Sequence, residues 1–353
     1  MRVGRTLMIA AWVLAGAGFA RAQDALAGTL AIVNRRDGTV SLVDLASKQI
    51  SATIPVGEGP HEVAISPDGV WAVVSNYGPA GAPGATLSLI DIAAGSVEAT
   101  ISLGKHRSPH GLAWTKDGSQ ILATVESDSA LLVIDRAGGA IAADIHLARQ
   151  GPDLIALSAD GARAFVTALG GSNVNAVDLT THKVTNSAEL PRNADGVAVR
   201  PGSDELWVAS QNSDKLTVLG LSDLAPRATI ASAGYPLRVR FTPDGATALA
   251  IFGRSSELKF FDAATRKETA AIPMRVSKAA MKGDKGAEGY ENHTVPLGLA
   301  ITPDGRWAFV TNGGADALTV VSIAKRDVIT VIFVGREPDG VAYTPLVRAS
   351  ATE

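Results

Sequence analysis

The feature that most constrains this chain is a unit of about 42 residues that recurs between Leu30 and Tyr343. The unit is clearest at a tight turn, where Pro presets φ and Gly accepts a positive φ, as is typical of hairpins. Copies of the turn begin at Ser66, Thr115, Ser158, Thr242 and Thr302, with a degenerate copy at Arg200. A period of this length indicates a propeller or a solenoid.

Strand patterns surround every turn. A short apolar segment precedes each of them, and seven such segments occur, at 63–65, 112–114, 155–157, 197–199, 239–241, 299–301 and 341–343. A second strand follows the turn, and a third strand then alternates with period two, as half-buried strands do. The fourth strand is more polar, which suits an exposed sheet edge. The pattern predicts an all-β fold, a seven-bladed β-propeller with four strands in each blade.

The repeat is out of phase with the ends of the chain. The chain begins with a second-type strand at 30–34 and finishes with a first-type strand at 341–343. We therefore expect the C-terminal strand to join the N-terminal blade and close the ring, because closure removes strand edges that would otherwise seek partners. A ring of six or eight blades is the alternative, although seven innermost strands can be counted.

The repeat resembles that of the YVTN family of β-propellers. The resemblance rests on the turn, on Val-Thr-Asn-like strands at 72–76 and 308–312, and on a third strand of the kind Ser-Leu-Ile-Asp at 88–91. It extends over nearly the whole chain after residue 22 and implies the propeller architecture. Similar repeats occur in surface proteins, in quinone- or haem-linked periplasmic proteins and in lactone hydrolases, so function has to be argued from the site.

The N-terminus resembles an export signal. Arg2 and Arg5 precede an apolar run at 7–17, and Ala20 and Ala22 are small residues at the expected cleavage site. We expect a signal peptide at 1–22, a single propeller domain at 23–353 and a periplasmic or secreted protein. An uncleaved anchor is the alternative, but the apolar run is shorter than the roughly 20 residues that a spanning helix needs.

Composition excludes several kinds of site and partner. The chain has no cysteine, which excludes disulfides, thiolate metal sites and covalent c-type haem. It has 32 Lys and Arg against 35 Asp and Glu, and loss of Arg2, Arg5 and Arg21 with the signal leaves 29 against 35, a net charge of −6. Nucleic-acid binding is not expected, because it depends on basic patches.

A ring of polar residues is expected where the innermost strands enter the central channel. The residues that follow the Pro-like position in the seven repeats are His61, His110, Asp153, Asp195, Leu237, Leu297 and Asp339. Imidazole and carboxylate groups that converge in a funnel predict a ligand site, and His61, His110 and Asp153 predict a divalent metal site within it. The alternative is local capping, in which each Asp accepts hydrogen bonds from nearby backbone N–H groups.

Two further features belong to the same mouth of the channel. The segment 274–294 interrupts the repeat and is either a lid or disordered. Within it, His293 and Glu288 are the candidates to move protons if the protein is an enzyme. Arg238 is expected to join Lys105, His106 and Arg107 in a basic rim that would suit a carboxylate-bearing ligand, and an ordinary solvated surface is the alternative.

Two functions follow from these features. The favoured one is an exported propeller that binds a small molecule, a cofactor or a periplasmic protein partner at the funnel mouth, as an accessory to a redox or catabolic system. The alternative is a metal-assisted lactone hydrolase or lyase, because 75–78 and 109–111 resemble segments of lactonase propellers. No Ser-His-Asp order, phosphate-binding Gly loop or zincin motif is visible.

Overall fold

The computed structural model describes residues 26–276 and 294–348, which form seven four-stranded antiparallel sheets. Blade 1 contains β1 (Thr29–Asn34), β2 (Thr39–Asp44), β3 (Gln49–Pro55) and the last strand of the chain, β28 (Pro338–Thr344). Blade 2 contains β4 (Pro60–Ile65), β5 (Trp71–Asn76), β6 (Thr86–Asp91) and β7 (Ser96–Ser102). Blade 3 contains β8 (Pro109–Trp114), β9 (Gln120–Val125), β10 (Ala130–Asp135) and β11 (Ile141–His146).

Blades 4 to 7 follow the same order from the innermost strand outwards. Blade 4 contains β12 (Pro152–Leu157), β13 (Arg163–Ala168), β14 (Asn173–Asp178) and β15 (Lys183–Glu189). Blade 5 contains β16 (Ala194–Val199), β17 (Glu205–Ser210), β18 (Lys215–Gly220) and β19 (Pro226–Ala231), with a short 3₁₀ helix at Gln211–Ser213. Blade 6 contains β20 (Pro236–Phe241), β21 (Thr247–Phe252), β22 (Glu257–Asp262) and β23 (Lys267–Pro273). Blade 7 contains β24 (Pro296–Ile301), β25 (Trp307–Asn312), β26 (Ala317–Ser322) and β27 (Asp327–Phe333).

The two ends of the chain share blade 1. Strand β28 pairs antiparallel with β1, with Thr344 opposite Thr29 and Val341 opposite Ile32. This pairing makes β28 the innermost strand of the blade and closes the ring. The seven-bladed fold and its mode of closure, both predicted from the phase of the repeat, are confirmed.

Apolar packing lies between the blades. Each of seven buried clusters combines side chains from two neighbouring blades, as where Leu87 of blade 2 meets Ile121 and Leu132 of blade 3. The last pair of neighbours is joined in the same way, since Phe309 of blade 7 packs in one cluster with Leu30 of blade 1. Every blade therefore stabilises the next one, which is why the closing strand matters to all of them.

Repeated polar contacts explain the sequence signature. In the turns, Asp68 accepts hydrogen bonds from the hydroxyl of Ser66 and the N–H of Val70. At the end of the second strand, Asn76 donates to the hydroxyls of Thr86 and Ser88 on the third strand. The recurring Asp and Asn residues are thus required by the blade itself.

The predicted signal peptide and most of the insertion at 274–294 lie outside the described residues. The ends of the insertion are described, and Thr294 donates a hydrogen bond of 2.5 Å to the carbonyl oxygen of Met274. Across residues 26–276 and 294–348 the structure contains no helix with the length and apolar character needed to cross a bilayer.

Candidate functional site at the channel mouth

A cleft of about 970 Å³ opens at one mouth of the channel. Its walls come from loops that lead into innermost strands and from loops between second and third strands, which is the face predicted for a site. These loops contribute Arg35, Arg36, Glu58, Tyr77 and Glu126, while the innermost strands β4 and β8 contribute His61 and His110. The volume is within the roughly 300–1,000 Å³ typical of small-molecule sites.

Three rings form a cluster in this cleft. The ring centroids of His61 and Tyr77 are 4.5 Å apart, and those of His61 and His110 are 4.9 Å apart. Tyr77 meets His110 edge-on at 5.7 Å and donates a hydrogen bond of 2.8 Å to Oε2 of Glu126. Burial and the bond to Glu126 raise the pKa of Tyr77 to about 12, so it remains a neutral donor.

His110 is paired with a buried carboxylate. Its Nδ1 lies 2.8 Å from Oδ1 of Asp153, in a geometry that makes the contact an ion pair rather than a linear hydrogen bond. Burial opposes the charged form, but Asp153 outweighs it and raises the pKa of His110 to about 9. Burial would likewise raise the pKa of Asp153, but His110 holds it below its usual range.

His61, in contrast, is neutral. Its Nδ1 is 3.5 Å from Oδ2 of Asp339, an oxygen that also lies 3.7 Å from Nε of Arg35. Burial lowers the pKa of His61, and the positive charges of His110, Arg35 and Arg238 lower it further. The cleft therefore contains a neutral imidazole beside an imidazolium.

Burial shifts the pKa of the remaining acids of the ring, Asp339 and Asp195, upwards. Burial raises the pKa of Asp339 to about 6, and the charge of Glu62 adds to this. Burial also raises the pKa of Asp195 well above its usual range, with a further contribution from the carboxylate of Asp153.

Arg238 lies inside the channel and not on an exposed rim, which corrects the prediction that it joins Lys105 and Arg107. It is 7% exposed. Its Nη1 donates a 2.5 Å bond to Asp195 of blade 5, and its Nη2 donates a 2.6 Å bond to Glu62 of blade 2. The guanidinium thus spans the channel, because acidic side chains on the neighbouring blade 5 and on blade 2 across the ring hold it.

The structure brings the predicted ring together. His61, His110, Asp153, Asp195 and Asp339 are each the second residue of an innermost strand, on blades that contact in sequence around the channel. The three Asp side chains contact groups on other blades, so local capping does not describe them. Their role in ligand binding stays a prediction, and His293 and Glu288 lie outside the described residues.

The predicted metal site has no support in the structure. Within the described ranges no group of three or more His, Asp and Glu side chains is arranged to hold a metal ion. His61, His110 and Asp153 do not converge on one point, because His110 and Asp153 contact each other while His61 contacts Asp339. The metal site and the metal-assisted hydrolase therefore stay predictions that no described group of side chains supports.

Sequence reasoning missed a second ring. The residue that follows the second strand lines the cleft in blades 1 to 4, as Arg35, Tyr77, Glu126 and Leu169, and the same position in blade 5 is Gln211. Gln211 donates to Oδ2 of Asp195 and accepts a 2.7 Å bond from the hydroxyl of Tyr235. Reading this position across the repeats, as was done for the innermost strands, would have found them.

Comparison with known proteins gives one family match. The family model for the cytochrome D1 heme domain matches residues 18–107 of the 353-residue chain. The matched segment contains His61, Tyr77 and His106. A different family was predicted, and the YVTN assignment is not confirmed. No curated protein matches the chain.

Solved structures share the fold. A hydrazine synthase from Kuenenia stuttgartiensis is 17% identical, with a TM-score of 0.70 over 85% of this chain and 93% of its own. A protein of unknown function from Desulfotomaculum acetoxidans is 13% identical, with a TM-score of 0.72 over 90% of this chain and 99% of its own. At these identities the likeness extends to the propeller architecture alone.

Proposed function

We propose that this chain is an exported β-propeller that binds a haem-type tetrapyrrole, without covalent attachment, in the mouth cleft, as an accessory to a periplasmic redox or catabolic system. The observation that carries the proposal is the cluster of His61, Tyr77 and His110 on the wall of a 970 Å³ cleft. The match of residues 18–107 to a heme domain and the signal-like N-terminus support it.

The donor set of the cleft fits such a group. A neutral imidazole is the form that ligates iron, and the lowered pKa keeps His61 neutral. Asp339 faces Nδ1 of His61, which leaves Nε2 as the ligating nitrogen. His106, the other histidine in the matched segment, has its two nitrogens 2.9 Å from Asp128 and 3.6 Å from Asp144 and is therefore occupied.

Other residues of the cleft suit the ring and the substituents of the tetrapyrrole. The rings of Tyr77 and His110 offer packing surface for a planar ligand. Arg35 and Arg36 line the cleft and can pair with carboxylate substituents. The bound iron would supply redox or ligand-exchange chemistry, whereas the protein residues bind, orient and shield the tetrapyrrole.

Titration of the purified protein with ferric haem, followed by absorbance, tests the proposal. We expect saturable binding at a ratio of one to one, and His61→Ala should weaken it at least tenfold, which is about 1.4 kcal/mol. Iron-free protoporphyrin IX should bind wild type and His61→Ala alike, because only the iron needs the imidazole.

His146→Ala is the matched control, since His146 ends the outer strand β11 and is exposed. It should bind ferric haem like wild type. Absence of saturable binding, or equal weakening by both histidine variants, would contradict the proposal.

A further inference from the structure

The loops that lead from an outer strand to the next innermost strand present backbone N–H donors at the mouth face. In blade 5 the N–H groups of Gly234 and Tyr235 both donate to Oδ1 of Asp214, at 3.1 and 2.8 Å. In blade 7 the N–H of Glu337 donates a 2.8 Å bond to Oδ1 of Asp316. The end of this loop therefore binds a carboxylate wherever the chain supplies one.

Gly38 occupies the equivalent position in blade 1. Gly38, Asp214 and Asp316 each come directly before a third strand and have φ values of 61°, 51° and 50°. The carbonyl oxygen of each accepts a backbone hydrogen bond of 2.9 or 3.0 Å from the residue that follows the fourth strand. Blade 1 thus has the same turn as blades 5 and 7, but glycine brings no carboxylate to it.

The donors that the carboxylate would satisfy are present in blade 1. Glu58 and Gly59 are the last two residues before β4, as Gly234 and Tyr235 are before β20. Neither the N–H of Glu58 nor that of Gly59 donates a hydrogen bond to any residue that the structure describes. Two adjacent N–H groups of this kind favour an anion as acceptor.

These donors face a space that is large enough for a ligand. Gly38, Glu58 and Gly59 line the mouth cleft of about 970 Å³. A Cβ placed on Gly38 would have one neighbouring atom within 4 Å, the carbonyl oxygen of Gly57 at 3.6 Å. Arg36 lines the same cleft, two residues before Gly38, and adds a positive charge.

We propose that the N–H groups of Glu58 and Gly59 bind a carboxylate group in the mouth cleft, with Arg36 as its counter-charge. One carboxylate oxygen takes the place that Oδ1 of Asp214 has in blade 5. The site goes beyond the binding of iron, because it uses neither the metal nor His61. A free organic acid and a carboxylate substituent of a bound tetrapyrrole present the same chemistry to it.

Titration of the ¹⁵N-labelled full protein with sodium acetate tests this site, with acetate replacing chloride at constant ionic strength. We expect a saturable downfield shift of the amide proton resonances of Glu58 and Gly59 in wild type. Gly38→Asp supplies the carboxylate from the chain itself, as Asp214 does in blade 5. Its two resonances should already be shifted without acetate and should no longer respond to it.

Gly104→Asp is the matched control. Gly104 also has a positive φ, 63°, in a mouth-face loop, and a Cβ there has nothing within 4 Å. The control therefore adds the same charge to the same face without reaching the donors. It and His61→Ala should keep the wild-type acetate response, so failure of haem binding would not imitate failure of this site.

Arg36→Met should weaken the binding of acetate about tenfold, because the counter-charge is lost. This variant decides the question if Gly38→Asp does not fold, and an unchanged affinity would then overturn the proposal. A wild type that does not respond to acetate, or an equal response in wild type and folded Gly38→Asp, would overturn it as well.

Ferric haem and its dimethyl ester identify the source of the carboxylate. If the tetrapyrrole supplies it, wild type should bind haem at least tenfold more tightly than the diester, and Gly38→Asp should abolish this preference. If the two bind alike, or neither binds, the ligand of the site is a free organic acid and the acetate response alone supports it.

Discussion

His61 and His110 occupy equivalent positions on neighbouring strands, but their partners differ. Asp153 lies against His110 and keeps it charged, whereas burial and the charge of His110, with a further contribution from Arg35, keep His61 neutral. The same residue type thus becomes a lone-pair donor in one blade and a hydrogen-bond donor in the next. Only the three-dimensional pairing distinguishes them.

The His110–Asp153 pair makes a testable contribution to stability. The pKa of His110 is raised from 6.5 to about 9 on folding, so its stabilisation is complete below pH 6.5 and is lost as the pH rises to 9. Asp339, with a pKa of about 6, is already ionised across this window. Urea unfolding of wild type should show that the free energy of unfolding falls by on the order of 2 kcal/mol between pH 6.5 and pH 9.

Two asparagine variants test which carboxyl group stabilises the charged form of His110. Asp153→Asn should remove most of the pH dependence of the free energy of unfolding, because the imidazolium of His110 loses its counter-ion. Asp195→Asn should preserve it, since the carboxylate paired with His110 is that of Asp153, and an amide at position 195 still accepts from Arg238. Similar loss in both variants would contradict the assignment of Asp153 as the counter-ion of His110.

At the scale of the strand, the innermost elements approach one another closely. The third residue of β8 is Gly111, and a Cβ there would lie 2.0 Å from the carbonyl oxygen of Asp153 on β12. The hydroxyl of Thr124 accepts from the N–H of Gly111 and donates to that carbonyl, fixing the spacing of the two blades. Glycine is required here because no side chain fits.

Gly111→Ala should therefore destabilise the protein by about 3 kcal/mol or more, as overpacking of a rigid contact does. Chemical denaturation measures this. Gly138→Ala serves as the control, because a Cβ at Gly138 has nothing within 4 Å and its effect should stay within about 0.5 kcal/mol. Equal effects of the two substitutions would contradict the close approach of β8 and β12.

The blade elements show what the sequence can predict. Turns, alternation and phase identified the seven blades, and position two of the innermost strands identified the polar ring. One regular backbone feature could not be predicted from the sequence. The residue before each innermost strand has a positive φ in all seven blades, although only two of these residues, Gly59 and Gly151, are glycine. The others include Ser108 and Val295, residue types that carry no signal for this conformation.

The pairing of site charges was equally hidden. Arg238 was expected at a rim because its loop lies on the mouth face, but its partners come from 43 and 176 residues away. Contacts of that range depend on the diameter of the ring and on side-chain direction. Local patterning reports neither quantity.

At the scale of the molecule, stability depends on closure. Strand β28 gives blade 1 its innermost strand, and the segment after it continues the contact, since Arg348 donates to the carbonyl oxygens of Ser51 in blade 1 and Ala93 in blade 2. Thr344 also donates to the carbonyl oxygen of Gly69. The C-terminus therefore binds both blades at the point where the ring closes.

A chain that ends at Glu337 should lose cooperative unfolding, or unfold more than about 10 °C below wild type, because β1 becomes an open edge and a blade interface is exposed. Calorimetry measures the transition. A chain that ends at Arg348 keeps every described contact of the tail and should unfold like wild type. An unchanged transition in the shorter chain would show that β28 is dispensable.

The shared blade also sets the order of events during synthesis. Blades 2 to 7 can each form from consecutive strands, but blade 1 stays incomplete, with β1 unprotected, until the final strand is available. The nascent protein is thus an open arc for almost its entire production. Its completion is a single late step that joins the oldest part of the polypeptide to the newest.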